Sequence, residues 1–189
     1  MDNGRLIIFS APSGAGKTSI VRGVMDRVPD LGFSVSACSR PKREGEKDGI
    51  DYYFLSPRDF RDKIDKGLFL EWEEVYPGSY YGTLLSEVER IWSEGRHVVF
   101  DVDVAGGLNI KRKYPDRTLA MFIMPPSLDI LRQRLAERKT ESPESMEKRI
   151  GKADYEMSFS GQFDKIIVND RLEDAIEKAA REVLQFTGK

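Results

Sequence analysis

The sequence predicts an α/β fold: a core with a parallel sheet flanked by helices, an inserted α+β subdomain and a helical lid. Three observations predict it. Short continuous apolar runs alternate with helix-like patterns, as buried parallel strands and their crossover helices do. A Gly-rich loop follows the first of these runs and opens a helix. The stretch from Gly32 to about Glu94 breaks the rhythm with a charged, Gly-containing loop over 40–50.

Taken in order, Leu6-Ile7-Ile8-Phe9 reads as a buried strand, followed by a helix from about Lys17 to Val28. The insert holds Phe33-Ser34-Val35-Ser36 and Asp51-Tyr52-Tyr53-Phe54. Ser56-Pro57 then reads as an N-cap with proline at the first helical position, opening a helix to about Lys66. Phe69-Leu70-Glu71-Trp72 is a further strand, and Tyr53, Phe54, Phe69 and Trp72 read as core residues. Core strands resume at Val98-Val99-Phe100, Leu119–Ile123 and Lys165-Ile166-Ile167-Val168, with helices over about 104–113, 127–138, 143–158 and 172–186. Two arginine-studded helices joined near Ser142-Pro143 read as a mobile flap. One domain is expected, with a core of 1–32, 95–133 and 161–189, an inserted subdomain at 33–94 and a lid at 134–160.

Composition excludes several classes. A chain of 189 residues, 40% hydrophobic and 33% charged, is globular and can bury a substantial core. With 30 basic against 32 acidic residues and a net charge of -2, it lacks the cationic excess of nonspecific nucleic-acid or membrane-surface binders. One cysteine, Cys38, excludes an internal disulfide and suits a reducing compartment. One histidine, His97, argues against a His-based metal site or a serine-type triad. The N-terminal apolar run is too short for a signal peptide or membrane span, so a soluble cytoplasmic protein is expected, with no obligate protein partner.

The Gly-rich loop reads Ala11-Pro12-Ser13-Gly14-Ala15-Gly16-Lys17-Thr18. It meets the pattern G-x-x-x-x-G-K-[ST] except at Ala11, which implies a negative φ there. Small residues let consecutive backbone N–H groups close around phosphate oxygens, and the following helix adds its positive N-terminus. Lys17 would reach the β/γ-phosphates of a bound nucleotide, and the Thr18 hydroxyl would ligate Mg²⁺. Such a loop does not by itself separate kinases from GTPases, ATPases and motors. An ordinary Gly-rich turn is the bland alternative. A second acidic element is His97-Val98-Val99-Phe100-Asp101-Val102-Asp103, a strand carrying carboxylates at its C-terminal end. Asp101 and Asp103, two apart, are expected on one face, with Asp101 holding the metal indirectly. Carboxylates there also cap following helices.

The insert resembles the GMP-binding segment of guanylate kinases. The match lies in Phe33–Ser36, Ser39-Arg40-Pro41-Lys42-Arg43-Glu44-Gly45-Glu46, Gly49–Phe54, Phe69–Trp72 and Tyr80-Tyr81-Gly82-Thr83. It continues through Asp101-Val102-Asp103, Pro125-Pro126-Ser127, Arg134 to Arg138 and Val168-Asn169-Asp170, nearly the whole chain. The resemblance implies a Mg²⁺-dependent transfer of the γ-phosphoryl group of ATP to GMP, in purine nucleotide metabolism. It implies that Arg40, Arg43, Tyr52 and Tyr81 hold the GMP phosphate, that Ser36, Glu71 and Thr83 read guanine, and that Asp103 lies beside GMP. It further implies that Ala11 to Thr18, Arg134, Arg138 and Asn169 bind ATP, and that Lys17, Arg43, Arg138 and Arg149 act on the transferring group. Pro41-Lys42 and Ala105 depart from the family's usual residues, while the Arg40 to Arg43 spacing is kept.

The chemistry of these residue types fits. Guanidinium forks and phenols suit a phosphate dianion, and a carboxylate accepts both guanine N1–H and its 2-amino group, neither of which adenine offers. Alternatives are a solvent-facing Glu71 and a solvated basic face pairing the arginines with Glu137, Glu141 and Glu147. A non-catalytic guanylate-kinase-like interaction domain is opposed by Lys17, Thr18, Asp101 and the arginines. Another nucleoside monophosphate kinase is opposed by Glu71.

Overall fold

In the computed structural model, residues 4–137 and 143–188 are described. The elements run β1 Leu6–Ser10, α1 Lys17–Arg27, β2 Leu31–Phe33, β3 Ala37–Cys38, β4 Tyr53–Phe54, α2 Pro57–Asp65, β5 Phe69–Tyr76 and β6 Ser79–Leu84. They continue with α3 Leu85–Ser93, β7 His97–Asp101, α4 Val104–Lys113, β8 Thr118–Met124, α5 Leu128–Glu137, α6 Pro143–Ser158, β9 Lys165–Val168 and α7 Leu172–Thr187. The chain divides into two compact units. Among the described residues, one holds Arg5–Pro29 with 101–137 and 143–188; the other holds Gly4 with Asp30–Phe100.

In the first unit β1, β8 and β9 pair in parallel, Leu6 opposite Thr118 and Met121 opposite Lys165. Every residue of β1 is buried, as a strand covered on both faces must be. Helices α1, α4 and α7 pack on these strands. A Cβ on Gly107 of α4 would lie 2.7 Å from Ser10 Oγ and 3.0 Å from Ile8 Cγ2, so glycine lets α4 approach β1. Helices α5 and α6 close over their own core of Leu131, Leu135, Ile150 and Ala153.

In the second unit β2 pairs in parallel with β7, Leu31 opposite His97. A four-stranded sheet of order β4-β3-β6-β5 stands beside α2, antiparallel except for β3 with β4. Its core is Ala37, Phe60, Phe69 and Tyr80, with the Phe60 and Phe69 rings stacked at 4.3 Å. Ser56 caps α2, its hydroxyl accepting from Asp59 N at 3.0 Å, with Pro57 at the first helical position as expected.

The structure corrects several sequence expectations. In the run Phe33–Ser36, to which the sequence assigns no element, β2 ends at Phe33, Ser34 N–H donates to Val99 O at 2.9 Å, and pairing resumes at Ala37. Phe69–Trp72 opens a longer strand that pairs with β6, and α3 follows directly. Trp72 is not core but 43% exposed, because alternation along β5 turns it away from the face that buries Glu71. Asp101 and Asp103 do not share one strand: β7 stops at Asp101, and Asp103 is the N-cap of α4.

Candidate active site

The phosphate loop lies between β1 and α1, closed by Ala15 N–H donating to Pro12 O at 3.1 Å. Gly14 and Gly16 have φ of 95° and 91°, a region that side chains resist. Each is also crowded: a Cβ would lie 2.9 Å from Leu135 Cδ2 at Gly14 and 2.4 Å from Asn169 Nδ2 at Gly16. The loop is therefore held from behind by α5 and Asn169. Asn169 is buried, donates from Nδ2 to Ala15 O at 2.7 Å and from its N–H to Met124 O at 2.8 Å.

Lys17 opens α1 and forms an ion pair with Asp101, and its Nζ donates to Val102 O at 2.9 Å. Thr18 Oγ1 donates to Asp101 Oδ2 at 3.2 Å, so the motif lysine, its hydroxyl neighbour and the acidic strand end converge. Asp103 uses Oδ1 to accept from Gly106 N at 2.8 Å, so the capping role weighed for this carboxylate is realised.

The arginines separate. Arg149 on α6 donates from Nη1 to Ser13 Oγ in the phosphate loop at 3.3 Å. Arg134 on α5 donates from Nη2 to Asn169 O at 3.0 Å. Arg134 Nη1 and Asn169 Oδ1 are buried with no hydrogen-bond partner among the described residues. Glu147, weighed as a partner of these arginines, is taken by Arg132. Arg138 lies outside the described residues. The half-buried Glu156 of α6 was not legible in the sequence. Burial pushes its carboxyl above the ordinary range, Lys152 at 3.5 Å and Lys17 oppose the shift, and Asp103 adds to it.

The other unit carries the remaining candidates. Glu71 on β5 is 8% exposed and stands opposite Thr83 of β6, itself fully buried, whose hydroxyl donates to Glu71 Oε1 at 2.8 Å. The solvent-facing alternative for Glu71 is thereby excluded. Ser36 is half-buried, its carbonyl accepting from Tyr53 N at 2.9 Å. Arg40 lies over the rings of Tyr52 and Phe54, 5.1 and 5.5 Å from their centroids, and Tyr52 meets Tyr81 edge-on at 6.1 Å.

Glu46, unassigned from sequence, organises this cluster. It grips both terminal nitrogens of Arg40 and accepts from Arg43 N at 2.8 Å. The Arg40 guanidinium, with the Arg43 N–H next, holds the Glu46 carboxyl down to about 2, and Glu46 raises Arg40 in turn. Only the crowding of charge in the loop could have signalled it. Thus Ser36, Arg40, Arg43, Tyr52, Glu71, Tyr81 and Thr83 belong to one unit. The phosphate loop, Asp101, Asp103, Arg134, Arg149 and Asn169 belong to the other.

Known proteins resemble this chain over nearly its whole length. Residues 3–185 match the family model described as Guanylate kinase. The chain is 51% identical to the guanylate kinase of Bacteroides fragilis over 184 residues, 97% of this chain and 90% of that protein. It is 48% identical to that of Porphyromonas gingivalis over 186 residues, 98% of this chain and 99% of that protein. Among solved structures, it is similar to the crystal structure of guanylate kinase from Anaplasma phagocytophilum. The TM-score is 0.79 at 25% identity, covering 100% of this chain and 89% of that one.

Proposed function

The chain belongs to the guanylate kinase family, and we propose how its own residues carry out the family's reaction. It is an ATP:GMP phosphotransferase, moving the γ-phosphoryl group of ATP onto GMP to give ADP and GDP. Phosphoryl transfer asks little covalent chemistry of a protein; alignment and charge neutralisation supply most of the rate. GMP's phosphate is itself the nucleophile, so no general base is required.

The observation that carries the substrate assignment is Glu71, a buried carboxylate in register with the buried Thr83. A buried carboxylate can accept the two adjacent guanine donors, with Ser36 and Thr83 completing the recognition. Arg40, Arg43, Tyr52 and Tyr81 clamp the GMP phosphate, the packing of Arg40 over Tyr52 and of Tyr52 against Tyr81 supporting this assignment. The inserted subdomain at 33–94 binds GMP, and the lid at 134–160 closes over the donor.

On the donor side, the phosphate loop from Ala11 to Thr18 wraps the ATP phosphates. Lys17, Arg149 and Arg138 neutralise the transferring group, and Asp103 borders GMP. The buried unpartnered Arg134 Nη1 and Asn169 Oδ1 support ATP binding by this pair, since buried polar atoms ordinarily find partners. Thr18 and Asp101 would hold Mg²⁺. Their converging hard oxygens fit an ion that keeps several waters and takes its other ligands from phosphates. When bound, the ion would neutralise charge on the donor phosphates. Among the described residues no helix is long and apolar enough to cross a membrane. A cytoplasmic location, supported by the free thiol of Cys38, completes the proposal.

ADP release with ATP against GMP, AMP, dTMP and UMP tests this assignment. Turnover confined largely to GMP is expected. Equal use of AMP would contradict the role of Glu71, and no turnover with any acceptor would point to an interaction domain.

A further inference from the structure

Glu87, on α3, is 3% exposed, a buried carboxylate that the reaction scheme leaves unused. Burying a charge is costly unless it is paired and hydrogen-bonded. Here four donors converge on it. Oε1 accepts from Tyr53 OH at 2.8 Å and Arg90 Nε at 3.0 Å; Oε2 accepts from Val35 N at 3.1 Å and Arg90 Nη2 at 3.0 Å. Burial pushes the carboxyl up, but the bonds from Arg90, Tyr53 and Val35 outweigh it and leave Glu87 below the ordinary range. It is therefore a fixed anion.

The placement of these donors matters more than their number. Val35 immediately precedes Ser36, and Tyr53 immediately follows Tyr52. Ser36 is also tied directly to Tyr53, whose N–H donates to the Ser36 carbonyl at 2.9 Å. One carboxylate on a helix thus anchors two neighbouring segments, 34–36 and 52–54, at the residues adjoining the guanine reader and the phosphate tyrosine. The Val35 bond to Glu87 also falls in the interruption between β2 and β3. Ser34 N–H goes to Val99 O, Val35 N–H goes to Glu87, and strand pairing resumes only at Ala37.

We propose that Glu87 is a positioning residue for GMP: without touching the nucleotide, it sets Ser36 through Val35 and Tyr52 through Tyr53. This rests on Ser36 and Tyr52 being GMP contacts. Precise placement of the contact side chains is what acceptor binding demands, so small misplacements weaken binding of GMP while leaving the donor site alone.

The test uses the full chain and measures KM for GMP, KM for ATP and kcat for Glu87→Gln, Tyr53→Phe, Ser36→Ala and Glu87→Gln/Ser36→Ala. Glu87→Gln keeps size but sets an NH₂ group against a donor. It is expected to raise KM for GMP about tenfold, leaving KM for ATP and saturated kcat within about twofold. Tyr53→Phe, which deletes one hydroxyl, should raise KM for GMP about threefold and decides the matter if Glu87→Gln does not fold. In the Ser36→Ala background, Glu87→Gln should add less than it does alone, because the arm through Val35 and Ser36 is already lost while the arm through Tyr53 and Tyr52 remains. An unchanged KM for GMP in folded Glu87→Gln, with only Tm lowered, would make Glu87 purely structural and overturn the inference. So would a parallel rise in both KM values. A silent Ser36→Ala would overturn the Ser36 assignment and the inference together. A silent Glu87→Gln beside an impaired Ser36→Ala would overturn the inference alone.

Discussion

Glu46 holds Arg40 by a two-bond fork, Arg40 Nη2 to Oε1 at 2.6 Å and Nη1 to Oε2 at 2.7 Å. The pair stiffens the loop that carries Arg40 and Arg43. It also makes the loop sensitive to acid in a defined direction. The folded-state value of Glu46, about 2, lies below its ordinary 4.5. Its stabilising contribution is therefore fully present above the ordinary value and is lost as pH falls toward 2. Carboxyl NMR titration should find a Glu46 midpoint near 2 in the wild type. In Arg40→Gln the midpoint should return toward the ordinary value. A wild-type midpoint already there would show that the fork does not persist in solution.

Lys17 is expected to act on the transferring group rather than on the fold. Although it pairs with Asp101, both side chains keep contact with solvent, so losing the pair should cost little stability. Lys17→Ala should lower kcat at least about a hundredfold, as losing one preorganised charge does, with Tm nearly unchanged. Near-normal turnover by a folded Lys17→Ala enzyme would remove Lys17 from the mechanism.

Arg149 reaches the phosphate loop at Ser13 from helix α6. If it serves mainly the transition state, Arg149→Met should reduce kcat about tenfold to a hundredfold, with a smaller change in either KM. A raised KM for ATP at unchanged kcat would instead make it a ground-state contact. Arg138 is expected to behave as Arg149 does, and the same pair of measurements applies.

Much of this was legible in the sequence, for physical reasons that vary by residue. Leu6–Phe9 and Lys165–Val168 were readable as strands because apolar runs bounded by small or polar residues have few other solutions. Ser56-Pro57 announced its helix through local capping chemistry. Partners brought together by tertiary structure were not readable. Strand β6 and helix α3 depend on the pairing of Glu71 with Thr83 across a hairpin and on packing beneath it. Trp72 misled because aromatic residues are ordinarily buried, whereas here the strand turns its carboxylate inward and its indole outward. Glu46 and Glu87 are single acids in charge-rich segments. Nothing local separates them from solvated neighbours; their distinction lies in bonds to Arg40, Tyr53 and Val35.

The central claim, that a buried carboxylate selects guanine, is tested most directly by Glu71→Gln. The substitution keeps size and the Thr83 neighbour but sets an NH₂ group against a guanine N–H. Losing one bond and creating one conflict should cost roughly 2–4 kcal/mol. At about 1.4 kcal/mol per decade, kcat/KM for GMP should fall between about 30-fold and 1,000-fold. The reaction with AMP should change much less, because adenine makes no use of those bonds. The measurement is kcat/KM for both nucleotides in wild type and variant, with circular dichroism confirming the fold. A selective loss for GMP is the predicted result; an equal fall for GMP and AMP, or an unchanged value for GMP, would contradict it.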